Sequence, residues 1–155
     1  MFFLLRYSYV KAVYNLSSGF LSSGRYDEEM LSICSANSKY FPLRNKTLSL
    51  HELLHYPIMM LDRKSTTSEF LHSIFQKSHL DLVPEIELSS NDLLIDLARI
   101  GLGIAFVPDF CIPEGERELF ALKLDEELPA RKLVVAYNES LPISQAAKHF
   151  MDILF

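Results

Sequence analysis

The chain has 155 residues, 49% apolar and 23% charged, with a net charge of −5. That is enough for one domain with a real hydrophobic core, or for two small lobes, and it argues against disorder. The acidic balance lacks the basic footprint of a module that grips phosphates, so this segment is not expected to bind DNA itself.

Residues 2–5 are wholly apolar and predict a short buried strand. The opening stretch Met1 to Arg6 is too short for a signal-peptide core and has no basic leader or small-residue cleavage site. No apolar run is long enough to span a bilayer, so a cytoplasmic location is expected. Residues 15–24, rich in Ser, Asn and Gly, predict a loop. Glu29 to Cys34 alternates weakly and predicts a strand. Phe41-Pro42 then punctuates the chain. Ser49 and Glu52 form a capping pattern that opens a short helix, and Pro57 ends it by pushing Tyr56 out of helical geometry.

Ile58 to Leu61 has the length and composition of a strand. Thr66 and Glu69 repeat the capping pattern, with Phe70, Leu71, Ile74 and Phe75 on one helical face. Glu85 to Leu88 predicts another strand. Ser89 and Asp92 resemble a third cap, followed by a stripe of Leu93, Leu94, Leu97 and Ile100, with Gly101 at the helix end. Gly103 to Val107 predicts a buried strand stopped by Pro108. Leu119 to Leu124 and Lys132 to Tyr137 are further strands. The last helix starts near Ser144, with Ala147, Phe150, Met151 and Leu154 on its apolar side. Strands alternating with helices in this way indicate an α/β fold with largely parallel sheets. Cys34 and Cys111, far apart in apolar surroundings, read as two reduced thiols.

His51-Glu52-Leu53-Leu54-His55 matches the zinc-protease string H-E-x-x-H. On a long helix that spacing puts two imidazoles on one face, with the Glu as general base. Here Ser49 and Pro57 leave fewer than two turns, Glu52 already serves the cap, and no third ligand follows at metzincin spacing. The plainer reading is two surface histidines on a helix whose Leu50, Leu53 and Leu54 face inward. His72, His79 and His149 have no partners at metal-ligand spacing. No nucleophile elbow, P-loop or dinucleotide glycine pattern occurs. No metal, cofactor or enzymatic activity is expected.

Several local strings occur in an order that resembles the effector-binding domain of LysR-type transcriptional regulators. Tyr26 to Ile33 looks like the strand that leaves the first lobe. Phe41-Pro42-Leu43 stands where the family often has His-Pro-Leu, so Phe41 is a departure. Leu48 to Leu53 with Tyr56-Pro57-Ile58 looks like the family's next stretch and independently explains the H-E-x-x-H string. Ser89 to Asp92, followed by Gly101-Leu102-Gly103-Ile104-Ala105-Phe106-Val107-Pro108, resembles its most recognisable segment. Arg131 to Val135 and the closing helix match the return to the first lobe. The resemblance covers residues 26–155 best.

The resemblance implies a two-lobed, periplasmic-binding-protein-like (type 2) α/β fold. Residues 1–38 and 130–155 would form a partial first lobe and 39–129 the second, with the winged helix-turn-helix domain absent. It implies a small-molecule sensor that regulates transcription only with that DNA-binding domain, as a homo-oligomer in full-length relatives. In open α/β sheets, ligands bind beyond the carboxyl ends of the strands. Two strand-to-helix turns carry hydroxyls there, Ser65-Thr66 and Ser89-Ser90. Helix N-termini attract carboxylates and similar anions. Read alone, these hydroxyls are N-caps; the resemblance implies that they also line a pocket for a small anionic effector, with Arg6 supplying charge from the first lobe. A solute-binding protein of the same fold and a non-functional fragment are the alternatives, with the zinc protease a distant third.

Overall fold

A computed structural model describes residues 3–7, 20–138 and 142–154, with side-chain surroundings described for 29–131, 142–150, 152 and 153. The chain divides into two compact units, residues 1–28 with 130–155, and residues 29–129. The division falls at Glu29 rather than at residue 38, because the strand that follows belongs to the sheet of the second unit.

In the first unit, β1 (Phe3–Tyr7), β10 (Arg131–Asn138) and β2 (Phe20–Glu28) form an antiparallel sheet with β10 in the centre. The expected loop over 15–24 is therefore a strand from Phe20 onward; residues 15–19 lie outside the described residues. The register shifts between Leu133, opposite Tyr26, and Val135, opposite Ser23. Gly24 and Arg25 thus fall in a bulge, the place in a strand that tolerates a glycine. The helix α4 (Gln145–Leu154) starts where expected, with the Ser144 Oγ accepting from the Ala147 amide at 3.2 Å. Ala147 is buried, but Phe150 is 46% exposed. Met151 and Leu154 have side chains outside the described residues.

The second unit is built on a five-stranded sheet in the order β6-β5-β7-β3-β8. These strands are β3 (Met30–Ser35), β5 (Ile58–Leu61), β6 (Ile86–Leu88), β7 (Ile104–Pro108) and β8 (Leu119–Ala121). The pairs β5–β6 and β5–β7 are parallel, whereas β3 runs antiparallel to both β7 and β8. The sheets are thus mixed in this unit and antiparallel in the other, not largely parallel. Parallel pairing needs a helical crossover, and only the segments between β5, β6 and β7 supply one. The expected single strand from Leu119 to Leu124 is broken into β8 and β9 (Lys123–Leu124), the latter pairing with β4 (Thr47–Leu48).

Both faces of this sheet are covered. On one, Ile58, Met60, Ile104 and Phe106 pack against Phe70, Leu71, Ile74 and Phe75 of α2 (Thr66–Lys77). Phe75 meets Phe106 edge-on, with centroids 6.2 Å apart. On the other, Ile33, Met59, Leu61, Ala105 and Val107 pack against Leu94, Ile95 and Ala98 of α3 (Asn91–Arg99). Each fully buried aliphatic side chain contributes about 1.5–3 kcal/mol. The expected α3 stripe is displaced: Leu93 is 46% and Ile100 70% exposed, because the face turned to the sheet is 94, 95 and 98. Gly101 ends α3 at φ +80, with its amide donating to the Ala98 carbonyl and the Leu102 amide to that of Leu97. This is the left-handed cap that glycine adopts without a Cβ penalty.

Candidate functional site

The candidate site lies within the second unit, at the carboxyl ends of β5 and β6. Leu61 of β5 is in register with Leu88 of β6, and the Asp62 amide donates to the Leu88 carbonyl at 2.9 Å. The chains leaving these two strands therefore start side by side. One becomes α2 on one face of the sheet and the other becomes α3 on the opposite face. In open α/β sheets, ligands bind in crevices at strand ends where helices diverge in this way.

Asp62 fixes the first turn. Its carbonyl accepts from the Ser65 amide at 2.9 Å and its carboxylate from the Lys64 amide at 3.0 Å. Ser65 consequently stops in extended geometry and caps α2, its Oγ accepting from the Ser68 amide at 3.1 Å. The expected cap at Thr66 is thus shifted by one residue; Thr66 is the first helical residue and is exposed. A one-residue shift in the opposite direction occurs at the second turn. Ser90, not Ser89, is the N-cap of α3, its Oγ accepting from the Leu93 amide at 3.5 Å, and Ser89 stands exposed one residue earlier. A serine cap accepts through an oxygen lone pair, so its own hydroxyl proton stays available to a ligand.

The charge around these turns is mixed. Arg63 and Lys64 are exposed beside Ser65, and Arg63 lies 3.6 Å from the Glu87 carboxylate of β6. Glu69 and Asp92 sit in the first turns of α2 and α3, where acids favour the helix dipole and oppose a bound anion. Arg63, paired with Glu87, and Lys64 are the cations set against them. Thr67 and Ser68 are buried at the start of α2, and the Ser68 Oγ has no hydrogen-bond partner among the described residues.

The structure therefore brings Ser65, Thr66, Ser89 and Ser90 to one end of the sheet. Arg6 lies in β1 of the other unit, paired in register with Leu133, and its side chain is outside the described residues. Sequence reasoning missed Arg63, Lys64 and Ser68. The run Arg63-Lys64-Ser65-Thr66 signals the cations; the burial of Ser68 follows only from packing.

The His-Glu motif folds as a cap. Helix α1 (Leu50–Leu53) is a single turn whose Glu52 carboxylate accepts from the Ser49 amide at 2.8 Å and the Ser49 hydroxyl at 3.0 Å. These bonds lower the Glu52 carboxyl below its usual value. His51 and His55 are exposed with ring centroids 5.2 Å apart, and the His55 Nδ1 lies 3.3 Å from the Glu52 carbonyl. Among the described residues no group of three His, Cys, Asp or Glu is placed to hold a metal, and no helix is long and apolar enough to cross a membrane. Both cysteines are present as thiols. Cys34 packs on the α2 face of the sheet and Cys111 at the edge of the α3 face.

A family model described as the LysR substrate binding domain matches residues 14–155. The HTH-type transcriptional activator CmpR of Synechocystis sp. is 30% identical over 121 residues, covering 76% of this chain and 40% of that protein. The chain thus spans less than half the length of this curated relative. Among solved structures, the CcmR regulatory domain of Synechocystis PCC6803 in complex with 2-PG superimposes with a TM-score of 0.75 at 24% identity, over 88% of this chain and 65% of that one. The effector-binding domain of QuiR in complex with shikimate gives 0.73 at 17% identity, over 92% and 66%. The fold is that of periplasmic-binding-protein-like (type 2) effector domains.

Proposed function

The chain belongs to the LysR substrate-binding domain family, and from that premise we propose that its second unit binds a small anionic effector at the carboxyl ends of β5 and β6. The observation that carries the reading is the pairing of two helix N-termini, capped by Ser65 and Ser90, on adjacent strands whose helices leave to opposite faces. Ser65 and Ser90 donate their hydroxyl protons to the anion. Thr66 and Ser89 line the approach. Arg63 and Lys64 supply positive charge. The molecules in complex with CcmR and QuiR, 2-phosphoglycolate and shikimate, both carry a carboxylate. Donors at a helix N-terminus are suited to that group.

Binding requires no covalent chemistry. The effector acts by favouring one conformation of the regulator over another, and its leverage equals its differential affinity for the two. In the whole regulator, DNA is contacted through a separate helix-turn-helix domain, the assembly is a homo-oligomer, and the setting is the cytoplasm. Residues 1–28 with 130–155 belong to the first lobe of that sensor and residues 29–129 to the second.

Calorimetric titration of the regulator with 2-phosphoglycolate and with shikimate tests the site. Ser65→Gly is the informative variant, because glycine preserves an N-cap to within a few tenths of a kcal/mol while removing the hydroxyl. A hydrogen bond to a charged group contributes about 1.5–3 kcal/mol, so affinity falls by roughly 10- to 100-fold. Unchanged affinity in Ser65→Gly and in Ser90→Gly rejects the site.

A further inference from the structure

A second surface of the same unit lies away from the strand ends that form the candidate site. Residues 30–51 contain no Asp or Glu, although the chain as a whole is acidic. They carry Lys39, Arg44 and Lys46, all exposed. None of the three makes an ion pair among the described residues. A short 3-10 turn over Phe41–Leu43 sets their arrangement, with the Arg44 amide donating to the Phe41 carbonyl at 3.1 Å. In such a turn, side chains at i and i+3 eclipse, so Phe41 and Arg44 share one side. Arg44 in turn lies 5.9 Å from the centre of the Phe120 ring, on β8. Thr47, next to Lys46, is in register with Lys123, a fourth exposed cation.

Apolar surface adjoins these charges. Phe41 is 55% exposed. Gly101 lies against Ser38, to whose Cβ a side chain at 101 would come within 3.0 Å, and the Tyr40 hydroxyl donates to the Leu102 carbonyl at 3.4 Å. The exposed side chains of Ile100 and Leu102 therefore stand beside the segment that bears Lys39 and Phe41. Of the acids near these charges, Glu52 holds the Ser49 cap within Coulombic reach of Lys46, Asp125 is exposed two residues beyond Lys123, and Glu118 pairs with Arg99 at 3.1 Å.

We propose that this surface, centred on Lys39, Phe41, Arg44 and Lys46 with Leu102 and Lys123 at its margin, docks an acidic, amphipathic segment of a partner protein. Four exposed cations without an ion-pair partner among the described residues complement carboxylates, and an aromatic anchor with aliphatic neighbours receives apolar side chains from the same segment. The aliphatic share favours a protein over a nucleic acid, whose phosphodiester backbone has no use for Ile100 and Leu102.

The test is fluorescence anisotropy with the full 155-residue chain and a short labelled peptide alternating Glu and Asp with Leu and Phe. Saturable binding that weakens with added salt is expected. The charge reversal Lys39→Glu, Arg44→Glu, Lys46→Glu weakens it roughly tenfold or more, and Phe41→Ser does so at constant charge. The milder pair Lys39→Gln, Lys46→Gln gives a smaller loss in the same direction and serves if the triple variant does not fold. The proposal is overturned if the peptide fails to bind, if its Gln and Asn counterpart binds equally well, or if the variants bind as the parent does. Tighter binding of a random-sequence DNA duplex would replace the protein partner with nucleic acid. Self-association that the same variants abolish in sedimentation would make the occupant a second copy of the chain. Either outcome also overturns it.

Discussion

Replacing Gly103 by alanine tests the packing of the sheet that presents the candidate site. A Cβ at this position would lie 2.6 Å from the Pro57 carbonyl oxygen and 3.1 Å from the Met59 Cγ. The first contact is with backbone, which cannot rotate away as a side-chain tip can. To relieve it, β7 must separate from β5 at the point where the Ile104 amide donates to that same carbonyl at 2.8 Å. Overpacking of this kind costs about 1–3 kcal/mol, and loosening the hydrogen bond about 1 kcal/mol more. The smaller conformational freedom of unfolded alanine returns about 0.4–1 kcal/mol. The net expectation is a destabilisation of about 2 kcal/mol, read as a lower urea midpoint with an unchanged slope. Gly115→Ala is the control, since its Cβ would meet nothing within 4 Å and only its φ of +78 opposes the change. Equal or higher stability in Gly103→Ala than in Gly115→Ala would refute the close approach.

Three further outcomes follow from local chemistry. His79 closes α2 in the left-handed region at φ 57, with its amide on the Gln76 carbonyl and the Leu80 amide on that of Phe75; His79→Gly should raise the unfolding free energy by about 1 kcal/mol, and a loss would show that the imidazole contributes packing instead. Arg99 joins Asp96, Glu116 and Glu118, and its hydrogen bond to Glu116 lowers that carboxyl below its usual value. Glu116 therefore adds stability above the pH at which an unfolded glutamate ionises, and the addition is lost as pH falls through its folded value. Glu116→Gln should flatten that part of the stability–pH curve, and an unaltered acid limb would contradict the pairing. Burial pushes the Cys34 thiol up to about 12, so in the folded protein a thiol reagent at mildly alkaline pH should modify half-buried Cys111 first; equal rates at both positions would place Cys34 nearer solvent.

Local signals were the legible ones. The capping box of Ser49 and Glu52, the strand Ile58–Leu61 and the glycine end of α3 each depend on a few adjacent residues. The candidate turns were legible to within one residue. Ser65-Thr66 and Ser89-Ser90 each offer two neighbouring hydroxyls that fit the capping pattern, and the direction in which the chain leaves the strand selects between them. That direction depends on the bond from the Asp62 amide to the Leu88 carbonyl, a contact between distant residues. The antiparallel placement of β3 beside β7 and β8 is equally non-local, and local alternation carries no sign of it. The strand from Phe20 was hidden because Ser and Gly favour loops, and only pairing with β10 and a bulge at Gly24 make it a strand. The buried hydroxyl of Ser68 was hidden because a serine is more often exposed.

The most direct measurement is a titration of the isotope-labelled chain with 2-phosphoglycolate and with shikimate, followed by amide chemical shifts. An effector held at the two helix N-termini should move the amides of residues 63–68 and 89–93 most, with saturation, and Ser65→Gly should weaken the response. Saturable shifts clustered elsewhere in the second unit, or none with either anion, would contradict an effector site at the ends of β5 and β6.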